Sequence, residues 1–153
     1  MSRRVSVLLM AICAVLGGCV HNSPDRATLT LASYHIAERS EGWDYNAFNP
    51  GAVLTWEGVD IDISAGAFIN SYSLPSVAGF VSVPLVEEEA LVLEGFGGVA
   101  YYPVYGRRFP LHVGDIVPLA GLAARLGSLS LMAFPSDCVH TCAVFVGGVS
   151  FDL

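Results

Sequence analysis

A histidine and a serine are the residues of this chain best suited to chemistry. His35 ends one apolar segment, and Ser71, preceded by Asn70, ends another. A neutral imidazole can take the proton of a serine hydroxyl, or polarise an acceptor hydroxyl, as acyl transfer requires. A histidine at a strand end also serves as a solvated or structurally hydrogen-bonded side chain, and sequence order alone does not bring the pair together. Tyr45, Asn46 and His112 fall in neighbouring polar segments. Arg107-Arg108 offers two guanidinium groups, which either clamp phosphates of a lipid headgroup or form a plain charged loop tip. Cys138 and Cys142 enclose Val139-His140-Thr141, a spacing that predicts a loop disulfide in an oxidising compartment. A zinc site needs more ligands than His140 supplies nearby. Phosphate-binding glycine loops, paired metal motifs and nucleotide fingerprints are absent, so neither a metal nor an organic cofactor is expected.

The N-terminal residues place this chemistry in a compartment. Arg3 and Arg4 precede the apolar run Val5–Leu16, and Leu16-Gly17-Gly18 leads into Cys19. A positive start, a short apolar core and small residues before a cut describe a secretory signal, too short to span a membrane. The cysteine fits the bacterial lipobox, in which Cys19 takes a lipid and becomes the new N-terminus; the other reading is an ordinary signal with a chance cysteine. Val20 after the cysteine, in place of Asp, favours delivery to the outer membrane. Removal of residues 1–18 leaves 135 of 153 residues, enough for one domain. Five arginines then face fourteen carboxylates, a formal charge of −9 without a single lysine. That balance argues against nucleic acid as a partner.

The elements that must carry these residues read as strands. Apolar residues make up 54% of the chain, yet Glu94 and Arg125 interrupt the long apolar stretches and no 18-residue apolar run follows Cys19. A spanning helix is therefore not expected, which leaves a packed soluble β protein or a membrane barrel. Asp60-Ile61-Asp62-Ile63 alternates in period two, as one-faced strands do. Strands are expected near 28–35, 52–57, 60–70, 76–85, 90–101, 113–120, 125–134 and 143–152, after a lipidated tether over 19–27. Short links at Glu57-Gly58-Val59, Glu87-Glu88-Glu89 and Gly121–Ala124 alternate with mostly longer ones at Ile36–Gly51, Ser71–Pro75, Tyr101–His112 and Pro135–Cys142. Such alternation predicts an all-β fold, an eight-stranded antiparallel up-and-down barrel of outer-membrane type over 28–153. His35, Asn70, Ser71, Arg107 and Arg108 then share the long-loop end. Phe145, Gly147, Val149, Phe151 and Leu153 would form one lipid-facing stripe. The ending Gly148–Leu153 resembles the signal read by the outer-membrane assembly machinery, an expected partner; it also suits the closing strand of a soluble, tethered lipocalin-like barrel. Leu91, Leu93 and Val99 alternate with Val92, Phe96 and Ala100, so both faces are apolar there. The interior is then either packed side chains or a slot for a hydrocarbon chain.

The order of short motifs adds a family. Tyr34-His35, Tyr45-Asn46, Asn49-Pro50-Gly51, Phe68-Ile69-Asn70-Ser71-Tyr72, Val77-Ala78-Gly79-Phe80, Pro110–Leu119 and Ser130-Leu131-Met132-Ala133-Phe134-Pro135 resemble PagP-type lipid A palmitoyltransferases along nearly the whole mature chain. The resemblance implies an eight-stranded outer-membrane barrel that moves a palmitoyl chain from a phospholipid to lipid A, with both lipids as partners. It gives catalytic roles to His35 and Ser71. It also implies lateral lipid access where prolines interrupt strand pairing, with Pro50 and Pro118 as candidates. Asn70 stands where these enzymes carry an aspartate, and an amide supplies neither a base nor a charge. The family's N-terminal amphipathic helix is absent here. Two expectations follow: an acyltransferase, or a non-catalytic envelope lipoprotein on the same barrel, binding lipid, altering the surface or excluding phage.

Overall fold

The computed structural model describes residues 23–36, 45–136 and 141–153. Cys19 and Cys138 lie outside the described residues. Eight strands follow one another: β1 (Arg26–Ile36), β2 (Phe48–Trp56), β3 (Asp62–Ile69), β4 (Pro75–Glu87), β5 (Leu91–Tyr101), β6 (Ile116–Leu126), β7 (Leu129–Pro135) and β8 (Ala143–Asp152). Each pairs antiparallel with the next, and β8 returns to β1, so the sheet closes into the expected up-and-down barrel. Thr28 and Ser150 join hydroxyls across that last seam at 2.8 Å, and the Leu153 amide donates to the Asp25 carbonyl at 2.9 Å. Closure gives every strand a partner on both sides.

Several boundaries differ from the sequence reading, β2 starting already at Phe48 and β6 only at Ile116. β1 starts at Arg26, so that residue belongs to the barrel and not to the tether. The β6–β7 turn is Gly127-Ser128, not Gly121–Ala124, and the ladder runs unbroken from Leu122–Ala133 to Leu126–Leu129. Gly127 sits at φ 56°, a left-handed conformation that suits glycine. Gly121 is a strand residue for another reason: a Cβ there would lie 2.8 Å from the Phe96 ring and 2.1 Å from the Ala133 carbonyl.

Polarity sorts by face. Period-two alternation sends Leu29, Leu54, Val77, Val81, Val99, Leu122, Leu131 and Phe151 outward, where all are exposed. The outward strand positions carry no charged side chain on any of the eight strands. Tyr34, Phe48 and Tyr101 ring the long-loop end, and Trp56 and Phe151 lie near the short-turn end, as interfacial aromatics do. Phe145, Gly147, Val149 and Phe151 share this outer face of β8. A soluble barrel requires the reverse polarity.

The interior is packed: β5 is apolar on both faces at the positions expected, with Val92, Phe96 and Ala100 turned inward, whereas much of the remaining inner face is polar. Arg26, Thr30, Ser33, Thr55, Ser64, Ser82 and Ser150 are buried. Arg26 pairs with Glu57 at 2.9 Å and Glu94 at 3.4 Å, with Asp62 at 3.7 Å. Glu57 is nearly half exposed and adds little, but removing one partner of the buried Arg26–Glu94 pair costs about 3–5 kcal/mol, so this group fixes the short-turn end. Above it, Phe96 meets Phe80 at 5.5 Å and Phe134 at 5.1 Å, filling the lumen. The cavity beside Arg26 and Glu94 measures about 40 Å³. That is room for roughly one water and not for an acyl chain, so the hydrocarbon slot is not found there.

Candidate functional site

A bulge decides where His35 points. In β1, Arg26, Thr28 and Thr30 face inward, and pairing with both β2 and β8 shifts register between Thr30 and Ala32. The extra residue leaves Leu31 and Ala32 both exposed, after which Ser33 and His35 take the inward positions. Without it His35 would face outward. The β1–β2 ladder ends at Ala32–Phe48, while β8 supports His35 through Val144.

The hairpin joining β3 to β4 delivers Ser71, and Asn70 builds that hairpin. Asn70 is fully buried; its Oδ1 accepts the amides of Tyr72 at 2.8 Å and Leu74 at 3.1 Å, and its Nδ2 donates to Ser76 Oγ at 2.9 Å. Ser73 adopts φ 62°, uncommon outside glycine, asparagine and aspartate. The result sets Ser71 Oγ 3.1 Å from His35 Nε2. His35 and Ser71 thus meet, whereas the Asn70 side chain is turned away into its own turn.

Aromatic rings extend the pair across the mouth. Tyr45 stacks on His35 with centroids 4.2 Å apart and planes within 4°. Its neighbour Asn46 ties this loop to the hairpin, donating its amide to the Ser71 carbonyl at 2.8 Å. Tyr72 lies 6.0 Å from Tyr45 and stacks on Tyr105 at 4.4 Å. Burial, then the Tyr45 phenol, pushes Tyr72 up to about 12 against the opposing pull of Arg108. The Arg108 guanidinium covers the Tyr105 ring at 4.5 Å, and Arg107 is exposed on the same short turn. His112 bonds the Phe109 carbonyl of its own loop at 2.7 Å. Tyr105 has no signal in the sequence beyond its place in a polar segment, and Tyr72 none beyond the short motif it shares with Asn70 and Ser71.

The remaining candidates are placed as follows. Cys142 is disulfide-bonded; Cys138, the expected partner, lies outside the described residues. Among the described residues no group of histidine, cysteine and carboxylate side chains is arranged to hold a metal. Pro50 lies just beyond the last β2–β3 ladder pair, Gly51–Phe68, and the Ile69 carbonyl accepts instead from Asn49 Nδ2 at 3.1 Å. Pro118 lies in the part of β6 that has no ladder partner on β7, since that ladder stops at Leu122.

Fold and polarity define an outer-membrane-type barrel with a histidine–serine pair at one mouth. No family model and no curated protein matches the chain. Among solved structures it is similar to the outer membrane protein Ail of Yersinia pestis in a phospholipid bilayer nanodisc. That likeness has 9% identity and a TM-score of 0.45, over 86% of this chain and 100% of that one.

Proposed function

We propose that this protein is an outer-membrane barrel that transfers an acyl chain from a phospholipid to lipid A or another glycolipid, as a divergent relative of the PagP-type enzymes. The 3.1 Å approach of His35 Nε2 to Ser71 Oγ, at the mouth of a barrel with an apolar outer wall, carries this reading. With Nδ1 protonated, Nε2 takes the Ser71 proton as Oγ attacks the ester carbonyl. The glycerol oxygen leaves and takes that proton from His35, and an acyl-serine remains. A glycolipid hydroxyl then attacks the acyl-serine and passes its proton through His35 back to Ser71 Oγ. Arg107 and Arg108, on the turn beside this mouth, suit the phosphates of either lipid. A lipid on Cys19 supplies a second attachment at the opposite end.

One observation favours a non-catalytic envelope barrel instead. Among the described residues no carboxylate bonds His35, and Asn70 is committed to the hairpin. Thin-layer analysis of labelled lipids separates the two readings. Cells expressing the protein should show a new acylated glycolipid, reduced about 10²–10⁴-fold by His35→Ala or Ser71→Ala, the usual size of an acid–base contribution. Identical profiles in all strains, empty cells included, sink the transferase and leave the envelope barrel.

A further inference from the structure

The outer wall holds a depression that the interior does not match. Outward-facing Ala67 on β3 pairs with Ala52 on β2 and Val77 on β4, so its floor is one methyl group deep. Pro50, Ile69, Val77 and Tyr101 rise around that floor, and the shallow groove, open to the outside, has a volume of about 460 Å³. Ile69 and Pro75, the last pair of β3 and β4, form its upper edge and the stem of the hairpin that carries Ser71. The void beside Arg26 inside the barrel holds about 40 Å³, too little for an acyl chain, and charged and hydroxyl groups share its lining with Val53, Phe80 and Met132.

We propose that this groove is the seat of one phospholipid acyl chain, held against the outside of the barrel rather than within it. The inference rests on the membrane-embedded reading of the barrel, and it stands with or without transfer chemistry. The groove is continuous with the uncharged outer wall, so what fills it is apolar and comes from the bilayer. Ala67 is the one alanine of its lining, flanked by Pro50, Ile69 and Val77, a track that suits a single chain. A two-chain phospholipid can lay one chain aside, whereas a glycolipid with many clustered chains cannot. Lipid tails are as apolar as the wall, so selection comes from shape and dispersion and not from the hydrophobic effect.

Photolabelling tests it. The full-length protein is reconstituted in phosphatidylethanolamine–phosphatidylglycerol vesicles, some phosphatidylethanolamine bearing a mid-chain diazirine on a saturated acyl chain. Labelled residues are then mapped by mass spectrometry. Ala67, Pro75 and Val77 should collect label about tenfold above outward residues of β6 and β7, equivalent to about 1.4 kcal/mol. Ala67→Phe, which fills the floor while facing lipid, should erase the enrichment and keep the heat-dependent gel mobility of a folded barrel. Even labelling of all outward faces, or enrichment that survives Ala67→Phe, overturns the groove. Loss of labelling on adding an equal amount of unlabelled multi-acyl glycolipid overturns its assignment to phospholipid. Absence of label on every strand overturns the embedded barrel itself, a result distinct from failure of the transfer assay.

Discussion

Asn70 directs three side-chain hydrogen bonds into its own hairpin, and losing them should register in stability before it registers in chemistry. Asn70→Ala leaves two amides and a hydroxyl without that partner. At about 1–3 kcal/mol for each buried group left unsatisfied, and with partial relaxation, a loss of roughly 2–4 kcal/mol is expected in urea unfolding in detergent. Asn70→Asp keeps the oxygen that accepts both amides, and its second oxygen can accept from Ser76 Oγ, so most of the stability should return. An unchanged midpoint for the alanine variant contradicts the bracing role. Tyr72 makes a prediction in pH. Its phenol is raised from 10.0 to about 12, so the folded state favours the protonated form. The stabilisation is complete below pH 10 and is lost as pH rises through about 12. In spectrophotometric titration, the wild-type minus Tyr72→Phe difference should rise near 12; a midpoint near 10 disproves the packing described for this ring.

At the scale of elements, the bulge in β1 is the critical feature. Deleting Leu31 restores strict alternation and returns His35 to the lipid face. Strand content by circular dichroism should persist while labelled-lipid transfer falls to the level of His35→Ala; transfer at the wild-type level refutes the bulge's part in aiming the ring. Nothing in Thr30-Leu31-Ala32-Ser33 announces this bulge, because no glycine or proline marks it. Strand number, the alternation of short and long links, and the gathering of His35 and Ser71 at one end were legible, since period-two patterning and turn residues are local signals. The β6–β7 turn was misplaced because Gly121 looks like a breaker, whereas it makes room for Phe96. The polar interior was obscured by small hydroxyl residues scattered among apolar ones. The ring row from His35 to Arg108 draws on three connections, so no single stretch of sequence could display it.

For the whole molecule, the uncharged outer wall decides membrane residence, and the proposed lipid on Cys19 only adds to it. Cys19→Ser should therefore leave the protein in the outer-membrane fraction of a sucrose gradient while abolishing labelling of the mature N-terminus by fatty acid. Release into the soluble periplasmic fraction counts against an embedded barrel. The seam between β1 and β8 reaches further, into kinetics. Thr28 and Ser150 are 122 residues apart, so closing the seam orders almost the entire barrel at once. The other seven pairings join neighbours along the chain and can zip in succession. Closure is then the slow event, and until it happens two strand edges stand open to any passing chain. At the seam, productive insertion competes with aggregation.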